Sequence, residues 1–88
     1  MNEWDAETAE WYAANYGEYA TNRLAVEALK LEPDSVVVDV GCGTGSALRE
    51  AASAVTEGRL IGIDPVPRMT EIARERTAGH PAAARIEF

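Results

Sequence analysis

Residues 36–45 read Val36-Val37-Val38-Asp39-Val40-Gly41-Cys42-Gly43-Thr44-Gly45, and the fold is decided in this stretch. A run of β-branched residues predicts a strand over Val36–Val40. Its near-continuous apolar character predicts burial on both faces, as in a parallel sheet covered by helices. Three glycines then alternate with Cys42 and Thr44. A residue without a Cβ lets a ligand lie against the main chain and reaches positive φ at little cost. The helix-compatible segment that follows, from Thr44 or Gly45 to about Val55, brings unpaired N–H groups back to the same spot. A nucleotide-like ligand at the carboxyl end of the first strand is the natural occupant.

Upstream, Glu7 to Leu31 lacks proline and sets Trp11 and Ala14, then Ala25, Ala28 and Leu29, at helical spacing. One or two helices are expected there, broken at Gly17. Pro33 ends that region, since the residue before a proline is disfavoured in the α conformation. Downstream, Leu48, Ala51, Ala52 and Val55 share a helix face, and Glu57-Gly58 makes a turn. Arg59 to Asp64 reads as a second strand. Pro67 suits the first turn of another helix, which carries Met69, Ile72, Ala73 and Arg76 and is expected to stop at Gly79. Arg85-Ile86-Glu87-Phe88 begins a third strand. Helix–strand alternation of this kind predicts a Rossmann-like, doubly wound α/β parallel sheet with right-handed crossovers, present here as its N-terminal portion: a leading helix, then β-α-β-α-β.

With 88 residues there is room for one small domain at most. A hydrophobic content of 47% is that of a globular chain rather than a disordered one. No apolar run approaches the ~20 residues needed to span a bilayer, and the acidic start Met1-Asn2-Glu3-Trp4-Asp5 is unlike a signal or transit peptide. A soluble, cytoplasmic protein with no membrane partner is expected. Net charge is −7, and residues 1–34 contribute −6 of it, with eight acids against Arg23 and Lys30. Such a front segment repels phosphate backbones and argues against a nucleic-acid partner. The single cysteine excludes an internal disulfide and suits a reducing compartment.

Asp64 is the second informative residue. It closes the second strand about 20 residues beyond the glycine loop, where an acid accepts hydrogen bonds from ribose hydroxyls. Strand, glycine loop, helix, strand and acid together describe an adenosine site. A dinucleotide loop asks for a third glycine where this chain has Ser46, with Gly45 one place early. Asp39 beside the loop would repel a pyrophosphate but suits a ligand that carries an ammonium and a sulfonium. No Gly-Lys-Ser/Thr is present, which excludes a P-loop.

Val37 to Gly45 is similar to motif I of class I S-adenosylmethionine-dependent methyltransferases, and Gly62-Ile63-Asp64-Pro65 with Met69 resembles that family's second-strand segment. The resemblance covers roughly residues 34–88. It implies a leading helical segment over residues 1–33 that caps the cofactor site, and the first half of a Rossmann-like S-adenosylmethionine-binding domain over residues 34–88. By it, Asp39 lies near the methionine amino group, directly or through water. Gly41 and Gly43 line the methionine and ribose portion, with Cys42, Thr44 and Gly45 completing the cofactor loop. Asp64 takes the ribose hydroxyls, and Pro65 and Met69 border the adenine. Tyr16 and Arg23 fall where many relatives carry a cap over the cofactor. The implied reaction is displacement at the sulfonium methyl by an acceptor nucleophile, with S-adenosylhomocysteine as product. It needs no metal and no covalent nucleophile, and no catalytic residue is identified.

Two departures stand out. Val66 occupies a position where relatives often place a helix-capping serine. The chain also stops within the third strand, before the segments that in the family hold the acceptor. A sheet of three strands leaves Val36–Val40 exposed along one edge, which invites self-association. A truncated chain that binds cofactor weakly and is catalytically incomplete is therefore expected, with the acceptor unidentified and a small molecule favoured. The alternatives are an NAD- or FAD-dependent oxidoreductase and a truncated, non-catalytic relative that dimerises. Cys42 reads as a small residue filling a tight loop rather than a reactive thiol, and His80 as a loop residue without metal partners. Trp4, Trp11, Tyr12, Tyr16 and Tyr19 read as helix packing in preference to an aromatic lid. Arg68, Arg74 and Arg76, alternating with Glu71 and Glu75, read as a salt-bridged outer face.

Overall fold

The computed structural model describes residues 5–16 and 21–88, and the side chains of Tyr16 and Thr21 lie outside that description. In order, the elements are α1 (Ala6–Tyr16), α2 (Thr21–Leu29), β1 (Val36–Val40), α3 (Ser46–Ala51), β2 (Arg59–Ile63), α4 (Pro67–Thr77), a 3₁₀ turn (Ala83–Arg85) and β3 (Ile86–Glu87). The expected break at Gly17, and the roles considered for Trp4 and Tyr19, fall outside the described residues. The three strands are parallel in the order β1-β2-β3. Among the described residues no helix is long and apolar enough to cross a membrane.

Alternation along the strands assigns one face to the core. Val37, Leu60 and Ile86 point toward α3 and its continuation, where Leu48, Ala51, Ala52 and Val55 are buried against them. A six-residue helix does not persist alone. Burial of Leu48 and Val55, roughly 1.5–3 kcal/mol each, holds this one in place. The helix is shorter than its sequence suggests, since turns occupy the residues after Ala51. Successive right-handed crossovers running in one direction put α3 and α4 on the same face. The opposite face carries Val36, Val38, Val40, Arg59, Ile63 and Glu87, all exposed.

This corrects the reading of β1 as buried on both faces. Val36, Val38 and Val40 are 66%, 52% and 78% exposed, because helices cover one face only and β1 is an edge strand among the described residues. The register Val36↔Arg59 is set at the strands' start, where Arg59 N–H donates to the Ser35 carbonyl (3.1 Å). The backbone of Gly58 lies so close to that carbonyl that a Cβ would overlap it.

The two leading helices dock separately, α1 on α4 and α2 on α3. α1 starts at Asp5, whose Oδ1 accepts the Thr8 N–H (2.7 Å) and lies below its ordinary pKa for that reason. Small Ala9 and Ala13 are its buried residues. Trp11 and Ala14, the pair picked out by spacing, face solvent; so do Ala25, Ala28 and Leu29 of α2. Arg68 pairs with Glu10 of α1 as well as with Glu71 and Glu75, and Arg76 donates to the Ala13 carbonyl (3.2 Å). The arginines of α4 therefore tie helices and chain segments together rather than forming a solvated face alone; Arg74 donates to the Phe88 carbonyl (3.1 Å). α2 ends at Leu29, just short of the expected end at Leu31, and Lys30 after it takes a left-handed φ of 51°.

Candidate functional site

The loop after β1 is pinned to the end of β2. Gly41 and Cys42 both donate their N–H to the Ile63 carbonyl, at 2.6 and 3.1 Å. Gly41, Gly43 and Gly45 take φ of 80°, 55° and 83°, values that a side chain would oppose by roughly 1–2 kcal/mol per residue. Gly43 N–H donates to Asp64 Oδ2 (3.0 Å), and Val66 N–H to Asp64 Oδ1 (2.9 Å). One carboxylate thus clasps the loops that follow β1 and β2. A carboxylate has about four acceptor sites, so each oxygen keeps capacity for a further donor. Val66, the residue before α4, offers no side-chain cap to the helix; Asp64 holds the Val66 N–H just ahead of it.

The two sides of the glycine loop differ. A Cβ added at Gly41 or Gly43 would meet nothing within 4 Å. At Gly45 it would lie 2.7 Å from Phe88 Cζ and 3.1 Å from Arg49 Nη1. Gly41 and Gly43 form the floor of an open cleft of about 350 Å³, with Asp64 on one side and Tyr12, Pro65, Val66 and Met69 as apolar walls. That volume is in the range of small-molecule sites, about 300–1,000 Å³.

Asp39, expected at the site, does not line this cleft; it lines a smaller groove of about 160 Å³ between α2, β1 and α3. Burial first, and the charge of Asp64 second, raise its pKa above the ordinary carboxylate value. The same causes push the Cys42 thiol up to about 11: burial, then Asp64, then Asp39. Cys42 is therefore a neutral thiol packed inward; its Sγ would be 2.8 Å from a Cβ at Gly62.

Of the residues expected at the site, Gly41, Gly43, Asp64, Pro65 and Met69 line the cleft. Thr44 and Gly45 shape the loop from its buried side, as Cys42 does. Arg23 is not brought there: it is exposed on α2, pairs with Glu27 at 3.5 Å and borders a hollow with Lys30 and Glu50. Tyr16 ends α1, its side chain outside the described residues. Tyr12 lines the cleft although its sequence reading favoured packing. Helical periodicity carried the signal, since Tyr12 lies four residues before Tyr16 on the same helix face. His80 Nδ1 accepts the Ala82 N–H (3.0 Å) and holds a turn. Among the described residues no three His, Cys, Asp or Glu gather as a metal site would need.

Comparison with known proteins adds an independent line. Residues 37–88 match the profile of a family described as a methyltransferase domain. An uncharacterized protein of a Streptomyces fradiae transposon is 45% identical over 60 residues, covering 67% of this chain and 17% of that protein. Trans-aconitate 2-methyltransferase of Methylobacterium nodulans is 33% identical over 76 residues, 81% of this chain and 30% of the relative. A crystal structure of a SAM-dependent methyltransferase from Geobacter sulfurreducens, in complex with S-adenosylhomocysteine, superposes with a TM-score of 0.77 at 25% identity, covering all of this chain and 36% of that one. The chain thus spans no more than about a third of these relatives' length. Because the profile runs from the first strand to the last residue, and the fold agrees over the whole length, this chain belongs to the methyltransferase domain family, in its class I, S-adenosylmethionine-dependent branch.

Proposed function

We propose that this chain is the cofactor-binding part of an S-adenosylmethionine-dependent methyltransferase. The observation that carries the reading is the convergence of Gly41, Gly43 and Asp64 on one cleft with an apolar far wall. The cleft fits such a cofactor in three respects. Its floor has no Cβ to obstruct a ligand. The Asp64 oxygens, already oriented by two N–H groups, retain acceptor capacity for a ribose diol. Asp39 and Asp64 set an anionic field suited to an ammonium and a sulfonium. Pro65, Val66, Met69 and Tyr12 would flank the adenine.

When bound, the cofactor supplies an electrophilic methyl on a sulfonium, which an acceptor nucleophile takes while a neutral thioether leaves. The residues of this chain bind and orient; alignment alone contributes much of such a displacement. S-adenosylhomocysteine is the expected product and serves as the binding probe. A small-molecule acceptor, a cytoplasmic setting, and residues 1–33 as a cap over residues 34–88 belong to the same proposal. Self-association through the free edge of β1 belongs to it as well.

The dinucleotide alternative finds no support at the loop. Ser46, in the place of its third glycine, already accepts the Asn22 Nδ2–H at its Oγ (2.6 Å). Calorimetric titration with S-adenosylhomocysteine and with NAD tests the reading. Heat of binding from the first and not the second, abolished in Asp64→Ala, is expected. Binding of NAD alone, or of neither, overturns it.

A further inference from the structure

Arg49 lies in α3, outside the cleft, yet it grips the glycine loop from behind. Its Nη1 donates to the Thr44 carbonyl (2.7 Å) and to Thr77 Oγ1 at the end of α4 (3.0 Å). Thr44 and Thr77 are both buried. The Thr44–Gly45 peptide is consequently held at both ends, because the Gly45 N–H donates to the Cys42 carbonyl (3.0 Å). That peptide rotates about Thr44 ψ and Gly45 φ, and at Gly45, whose φ is 83°, the two senses of φ are nearly equal in energy, so the peptide can flip if it is not held. Gly45 also leaves the room that the guanidinium occupies, since a Cβ there would approach Nη1 to 3.1 Å.

We propose that Arg49 is the positioning residue of the ligand cleft: it locks the orientation of the Thr44–Gly45 peptide and ties the glycine loop to α4, whose first turn follows the opposite wall. The other loop anchors, Ile63 and Asp64, act from the strand side and connect the loop to β2. Arg49 links it to the helical layer. A charge-assisted hydrogen bond to a carbonyl is suited to the task, being shorter and stronger than a neutral one. Arg49 does not line the cleft, so its effect is on how well the loop is preorganised.

The proposal rests on the cofactor reading for its affinity readout, and a second readout stands apart from it. Arg49→Met keeps the aliphatic stem and removes the donors. It is expected to weaken S-adenosylhomocysteine about tenfold, the equivalent of one charge-assisted hydrogen bond. Amide hydrogen exchange at Gly43 and Gly45 should quicken by a similar factor, while the β2 amides of Leu60 and Ile61 keep their protection. Arg49→Lys, whose ammonium can approach the Thr44 carbonyl, should restore part of both. Thr77→Val, which removes only the tether to α4, should fold normally and show a smaller effect in the same direction. Unchanged affinity and unchanged loop exchange in Arg49→Met overturn the proposal. Equal loss of protection across β2 overturns it too, because that is the mark of a general stabilising role. Failure of the unsubstituted chain to bind S-adenosylhomocysteine counts against the proposed function instead, and the exchange measurements still decide the role of Arg49.

Discussion

Gly43 and Gly62 are both glycines near the loop, and their substitutions should fail for different reasons. An alanine at Gly43 adds left-handed strain of roughly 1–2 kcal/mol and projects a methyl into the open cleft. Affinity for S-adenosylhomocysteine should fall further than stability does. At Gly62 a methyl would lie 2.7 Å from Phe88 Cδ1 and 2.8 Å from Cys42 Sγ, inside the packed layer. Gly62→Ala should lower stability by about 1–3 kcal/mol, the usual effect of overpacking, and leave the affinity of the folded fraction nearly unchanged. Urea unfolding and calorimetry on the same samples separate the two. Asp39 makes a pH-dependent prediction. Burial and the Asp64 charge raise its pKa, so between the ordinary carboxylate value and the raised one the folded chain holds a proton that the unfolded chain releases. Its contribution to stability is complete at acid pH, below the ordinary carboxylate value, and is lost as pH rises through the raised one. Asp39→Asn should therefore be more stable than the parent at neutral pH, with the difference closing in acid, while its affinity for a cationic ligand falls. Unfolding midpoints across the acid range check the sign.

The end of α2 is a case where an element stops against residue preference. Lys30 adopts φ of 51°, a conformation that favours glycine or asparagine after a helix. Its side chain is exposed, so replacement removes strain without removing a core contact. Lys30→Gly should stabilise the chain by about 1 kcal/mol, read as a higher urea midpoint with unchanged slope. Pro33 was the visible stop signal; the helix ends a few residues before it, and Leu31, after the helix, packs against the core cluster. α4 shows the converse. Pro67 at its first position was legible, and the helix begins there. The residue ahead of it is held by Asp64, through the Val66 N–H, a contact that helix periodicity does not reveal.

At the scale of the molecule, among the described residues, the helices cover one face of the sheet and leave Val36, Val38, Val40 and Ile63 exposed on the other. An apolar edge strand with a free ladder of N–H and C=O groups pairs readily with another strand. Val40→Lys places a charge at the most exposed of these positions. It should change stability by no more than about 0.5 kcal/mol, as surface substitutions usually do, and should reduce self-association in sedimentation equilibrium. An unchanged association state would show that this face takes no part in it.

The sequence by itself determined the order of elements, the glycine loop and its acid, and hence the family. Each of these depends on neighbours along the chain: β-branched runs make strands, and glycines permit the loop's φ values. Leu48, Ala51, Ala52 and Val55 were legible as one buried face for the same reason. Only the tertiary structure decided which residues meet across elements. It brought Tyr12 to the cleft and left Arg23 beside Glu27, because the docking of α1 on α4 and of α2 on α3 depends on contacts far apart in sequence. It turned Cys42 inward against Gly62, and it set Arg49 behind the loop, 28 positions from the Thr77 that it also holds. Periodicity records which residues share a face of one element. What lies opposite that face is settled only when the elements pack.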